Sequence, residues 1–198
     1  MLPIVIMKYL LLALFLFNSS LAFTKDPLSI YICSRLTPEA REWNDAICQT
    51  FEKNVSLFLP QDIDLKSVTK IELDLIAYQK DFEAMNKCDL LLVFPPYGRD
   101  CAWEIGWFCG KEKPAIAYIE ESGEWLKDAM VKGGLSAIIT NNADLHKILL
   151  EDPSVSDKSY LITSRQMLSQ MISKVYRDWT KKKESGLNKY EAALEVES

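Results

Sequence analysis

Residues 89–106 read DLLLVFPPYGRDCAWEIG, and this stretch decides the fold. The unbroken apolar run 90–94 suits a strand covered on both faces, as in a parallel sheet. Pro95-Pro96-Tyr97-Gly98 ends the run in a turn, and Asp100-Cys101-Ala102-Trp103-Glu104 then opens a helix. Open α/β sheets bind their ligands at the carboxyl end of such a strand. Glu104 lies one turn into the helix and is the first candidate for chemistry. An acid there is also favoured simply by the helix dipole, by about 0.3–1 kcal/mol, so position alone leaves both readings open.

Upstream, Leu28–Cys33 (LSIYIC) has strand composition, and Thr37 followed by Pro38 is an N-cap with proline at the first helical position. The spacing of Ala40, Trp43, Ile47 and Phe51 predicts a helix over 39–53. A second strand is expected at 55–59. A helix is expected at 71–87, with Leu75, Tyr78, Phe82 and Met85 as its apolar stripe. Downstream come a helix over 102–110, strands at Ala115–Ile119 and 135–140, and between them a short helix at 124–130. Asn142 caps a further helix, and a terminal helix over 164–183 carries Met167, Met171, Val175 and Trp179. The alternation predicts an α/β fold, a Rossmann-like or flavodoxin-like open sheet of about five mainly parallel strands with helices on both faces.

Residues 1–23 stand apart from this domain. A short apolar run with a lysine before it and Ser20-Leu21-Ala22 after it has the pattern of a secretory signal cut before Phe23. The rival reading is an uncleaved anchor. Export follows if the signal is real, membrane attachment only if it stays uncut, and a cytoplasmic location otherwise. The domain is expected over 24–183, with a tail at 184–198.

Composition narrows the chemistry. The 198 residues are 48% hydrophobic and 26% charged, with a net charge of -5 that argues against nucleic acid as a partner. Glycine is sparse, and neither a GxGxxG nor a Walker loop is present, so no cofactor is expected. His146 is the single histidine, which disfavours a catalytic triad, a histidine metal site and a Cys101–histidine pair. The five cysteines form no CxxC and read mostly as small buried hydrophobes. The strand ends gather Cys33-Ser34-Arg35, Pro60-Gln61-Asp62, residues 95–100 and Glu120-Glu121. Carboxylates without metal spacing suit substitution at an anomeric carbon, with one acid as nucleophile and another assisting the leaving group.

Leu28–Cys33, Phe58-Leu59-Pro60-Gln61, the segment YQKDFEAMNKCD at 78–89 and Trp103-Glu104-Ile105-Gly106 together resemble the nucleoside 2-deoxyribosyltransferase family, including its related nucleotide N-glycosidases. The resemblance runs from about residue 28 to 120 and implies cleavage of the N-glycosidic bond of a nucleoside or nucleotide. It implies Glu104 as the nucleophile at C1′, Asp81 in proton transfer to the base, and Tyr31 near sugar and nucleophile. Ser34 and Arg35 would hold a 5′-phosphate. It also implies a homo-oligomer, for which Trp103, Trp107 and Trp125 are candidate contacts. The chain departs from the family at Gly98, where many members carry Asp or Ser six residues before the catalytic Glu. Asp100 either stands in for that side chain or only caps the helix. Two other readings stay open: a binding module on the same fold without catalysis, and NAD glycohydrolase chemistry.

Overall fold

The structure, a computed structural model, describes residues 27–64, 69, 72–96 and 98–186. The leader at 1–23 and most of the expected tail lie outside them. In chain order the elements are β1 (Leu28–Cys33), α1 (Pro38–Cys48), β2 (Val55–Phe58), α2 (Leu73–Lys87), β3 (Leu90–Val93), α3 (Arg99–Gly110) and β4 (Ala115–Ile119). They continue through α4 (Ala129–Gly134), β5 (Ala137–Thr140), α5 (Ala143–Glu151), β6 (Ser159–Leu161) and α6 (Leu168–Glu184). All strand pairs are parallel, in the order β2-β1-β3-β4-β5-β6.

The sheet therefore has six strands rather than about five. The addition, β6, is three residues long and sits at the edge, with Ile138 opposite Ser159 and Thr140 opposite Leu161. A strand this short and half exposed carries no alternation to read.

Side chains of alternating strand residues build two cores. Tyr31, Cys33, Leu91, Val93 and Ala117 pack against residues of α2, α3, α4 and α5. Ile30, Ile32, Leu92, Phe94 and Tyr118 pack against α1 and α6. β3 and β4 are buried throughout, which is why their sequences are continuously apolar.

Local signals fix the helix ends. Thr37 Oγ1 accepts from the Ala40 amide at 3.3 Å, and Asn142 Oδ1 accepts from Asp144 and Leu145, caps each worth about 1 kcal/mol. Two helical stripes differ from expectation. In α2 only the last part of the stripe is interior: Met85 is buried, while Leu75 and Tyr78 are more than half exposed. In α6 the buried residues are Leu168, Ile172 and Val175. A 3-10 turn at Arg165–Met167 precedes that helix and leaves Met167 outside its stripe. Among the described residues, no helix is long and apolar enough to cross a membrane.

Candidate active site

The strand order reverses direction between β1 and β3, so the connections leaving their carboxyl ends turn to opposite faces of the sheet and open the crevice where such folds bind ligands. The two ends are tied together there. The Phe94 amide donates to the Cys33 carbonyl at 2.8 Å, and the Arg35 amide to the Pro96 carbonyl at 3.4 Å. Gly98 is the N-cap of α3, and its amide donates to Cys101 Sγ at 3.4 Å. The turn thus aims the first two turns of α3 at the crevice.

On one side of these turns lies a cavity of about 370 Å³ lined by Tyr78, Asp81, Phe82, Met85, Asp100, Trp103 and Glu104. Tyr31 rises from β1 beneath it. Its ring is fully buried and stacks on Phe58 at 5.4 Å, and its hydroxyl donates to Glu104 Oε1 at 3.0 Å. Burial pushes the Glu104 carboxyl up to about 7, against hydrogen bonds from Cys33 and Tyr31, with the charges of Asp100 and Asp81 adding to the rise. Burial also raises Asp81 to about 6, opposed by the Tyr31 hydroxyl and assisted by the charge of Asp100. Asp81 Oδ1 is buried without a hydrogen-bond partner among the described residues. Asp81 reaches the site because it lies on the inward face of α2, two turns from its end.

On the other side of the same helix start lies a larger cavity of about 1140 Å³. Arg35, Trp43, Gly98, Arg99 and Glu120 are among its walls. Neither Arg35 nor Arg99 forms an ion pair among the described residues. Glu120 is occupied: Arg165 binds it through Nε at 2.6 Å and through Nη2, and Tyr118 and Asn141 also donate to it.

Four of the seven residues singled out from sequence thus meet around one cavity: Tyr31, Asp81, Asp100 and Glu104. Arg35 and Gly98 face the other. Ser34 lines neither. Its hydroxyl is nearly buried, accepts from Asn44 Nδ2 at 2.5 Å and donates to the Arg35 carbonyl at 2.9 Å, which pins the β1–α1 loop to α1. Gly98 and Asp100 share one volume: a Cβ built on Gly98 falls 2.3 Å from Asp100 Oδ1. The Asp100 carboxylate therefore folds back over the glycine and fills the place of a side chain there.

Two buried thiols border Glu104. The Sγ atoms of Cys33 and Cys101 and a Glu104 oxygen lie within 4.8 Å of one another, both cysteines being 1% exposed. Both belong to the core, as the apolar neighbours of Cys33 in sequence suggest, and Glu104 stands one turn after Cys101 on α3 while Cys33 ends β1. Trp107, for which interface contact and core packing were equal readings, packs on Phe82 and Phe108. Trp103 is half exposed at the cavity rim.

No curated protein matches the chain. Among solved structures, a 2-deoxyribosyltransferase of Bacillus psychrosaccharolyticus is 19% identical with a TM-score of 0.46, over 56% of this chain and 84% of that one. A conserved protein of Enterococcus faecalis V583 is 20% identical with a TM-score of 0.43, over 74% of this chain and 97% of that one. The sequence model described as nucleoside 2-deoxyribosyltransferase matches residues 30–163, a span that runs from β1 past β6 and includes every residue of the crevice. On that match, the chain belongs to the nucleoside 2-deoxyribosyltransferase family.

Proposed function

We propose that this protein cleaves the N-glycosidic bond of a nucleoside or nucleotide, with Glu104 as the nucleophile. The observation that carries the reading is the Tyr31–Glu104 hydrogen bond at 3.0 Å, made at the wall of a cavity that Asp81 and Asp100 also line. Tyr31 holds Oε1, which leaves the other carboxylate oxygen to attack C1′. As the new C–O bond forms, the C1′–N bond breaks and its electron pair leaves with the base. Asp81, in its protonated form, gives the base a proton. The resulting glycosyl ester on Glu104 is then attacked at C1′ by an acceptor base or by water. The incoming group passes its proton to Asp81, and the ester C–O bond breaks to restore both carboxyls. Such a covalent route divides one difficult displacement into two easier ones.

Arg35 and Arg99 favour a phosphorylated substrate. Two guanidiniums that form no ion pair among the described residues, beside a helix N-terminus, suit a phosphate through charge-assisted hydrogen bonds. Asp100, in the space above Gly98, is placed to meet the sugar between the two cavities. The half-exposed Trp103 and Tyr78 at the rim are where a second subunit would cover the site in a homo-oligomer.

The test is to incubate the protein with deoxynucleosides, deoxynucleoside monophosphates and NAD, each with and without an acceptor base, and to follow free base by chromatography. Base release is expected from a monophosphate, and its loss is expected in Glu104→Ala. A folded sample that releases base from none of them overturns the enzymatic reading. Base release that survives Glu104→Ala overturns the nucleophile.

A further inference from the structure

We propose that Cys33, Cys101 and Glu104 form a binding site for a thiophilic divalent cation of the zinc class, and that its occupancy shuts the site. The inhibitory half rests on the proposed role of Glu104; the binding half does not. The three donor atoms already lie within 4.8 Å of one another. Around a tetrahedral zinc, with bonds of about 2.3 Å to sulfur and 2.1 Å to oxygen, donors stand roughly 3.6–3.8 Å apart. Side-chain rotations of about an ångström close that gap.

The surroundings are those of a ligand set rather than of two core thiols. The Gly98 amide donates to Cys101 Sγ at 3.4 Å, and Tyr31 donates to Glu104 Oε1 at 3.0 Å. Outer hydrogen bonds of this kind orient metal ligands and stabilise their charged forms. Cys101 also stands in the first turn of α3, which sets its Sγ beside the Gly98 amide. The cavity at Glu104 is lined by three carboxylates, and among the described residues no lysine or arginine stands in its walls. It therefore attracts cations and leaves a fourth coordination position open to water, as catalytic and exchangeable zinc sites do.

Binding forms two metal–sulfur bonds and one metal–oxygen bond and releases both thiol protons, plus the Glu104 proton when it is present. No redox partner is needed. A bound cation takes the lone pair that would attack C1′, so the nucleophile is lost without any change in fold.

Cobalt(II), a spectroscopic stand-in for zinc, reads the site on the full chain with no substrate present. One equivalent per chain is expected to give the near-ultraviolet thiolate-to-cobalt charge-transfer band, displaced by zinc. The band is expected to disappear in Cys33→Ala and in Cys101→Ala, and to persist with weaker binding in Glu104→Gln. X-ray absorption on the zinc-loaded wild-type protein, which needs no variant to fold, is expected to give two sulfur scatterers. Absence of the band, its survival in both cysteine variants, or an all-oxygen zinc shell each overturns the site. Where base release is measurable, zinc is expected to abolish it and a chelator to restore it; a metal-loaded protein that keeps full activity overturns the inhibitory role while leaving the spectroscopic test to judge binding by itself.

Discussion

Glu104 should make the folded protein less stable at the pH where it is useful. The substitution that reads this is Glu104→Gln, which keeps the shape of the side chain and an oxygen to accept from Tyr31. In an unfolded chain the carboxyl has its ordinary value of 4.5, and in the folded protein burial raises it to about 7. Below the unfolded value the group is protonated in both states and costs nothing. Between the two values the native state binds more protons than the unfolded one, so stability falls as pH rises. Above about 7 the whole penalty is present. The span corresponds to about 3 kcal/mol, at roughly 1.4 kcal/mol for each pH unit. That is a large part of the ~5–15 kcal/mol that holds a domain together. Urea unfolding of wild type and variant at pH 4, 6 and 8 measures it. The variant's advantage is expected to grow by about 3 kcal/mol between pH 4 and pH 8, while its base release is lost. Parallel stability profiles for the two proteins would refute a buried, ionisable Glu104.

Other expectations follow from the same geometry. Base release should show a bell-shaped dependence of kcat/KM on pH with limbs near 6 and 7, because attack needs one ionised carboxyl and departure one protonated carboxyl in the Asp81–Glu104 pair; a flat profile from pH 5 to 8 counts against the pairing. Tyr31→Phe keeps the stack on Phe58 but removes a hydrogen bond that holds the Glu104 value down. The same hydroxyl holds the Asp81 value down, so both limbs should move to higher pH, and base release should slow about 10- to 100-fold, the worth of a hydrogen bond to a charged group, as kinetics across pH will measure. Arg35→Ala should raise KM for a monophosphate roughly 10- to 100-fold and leave a nucleoside unaffected; equal effects on both would remove phosphate recognition from Arg35.

How much was legible in advance depended on whether the signal was local. Thr37-Pro38 and Asn142 act on amides two or three residues away, so their helix starts could be read directly. The central strands announced themselves because a strand buried on both faces has no polar position to confuse the pattern. β6 was illegible because its pairing with β5, and not its own three residues, makes it a strand. The partner of Ser34 was hidden for the same reason. A hydroxyl beside an arginine at a strand end reads as a ligand group, yet Asn44, ten residues on, claims it as an acceptor.

The site tests the same distinction more severely. Glu104 could be picked out as a carboxylate just past a strand end and Asp81 through the family resemblance, but a gap of 23 positions hides that both border one cavity. Position left the Gly98–Asp100 relation as two alternatives, a stand-in for the side chain whose loss the glycine marks or a mere helix cap. In space the loss is what admits the carboxylate two residues later, whose oxygen lies 2.3 Å from where a Cβ would be. The two positions are therefore coupled, and a double-mutant cycle should find it. Gly98→Ala forces Asp100 to rotate out of that volume and should impair base release. In an Asp100→Ala background the same substitution meets nothing and should add no further cost. Strict additivity of the two would mean that the Asp100 carboxylate does not occupy the glycine's place in solution, and the stand-in role would go with it.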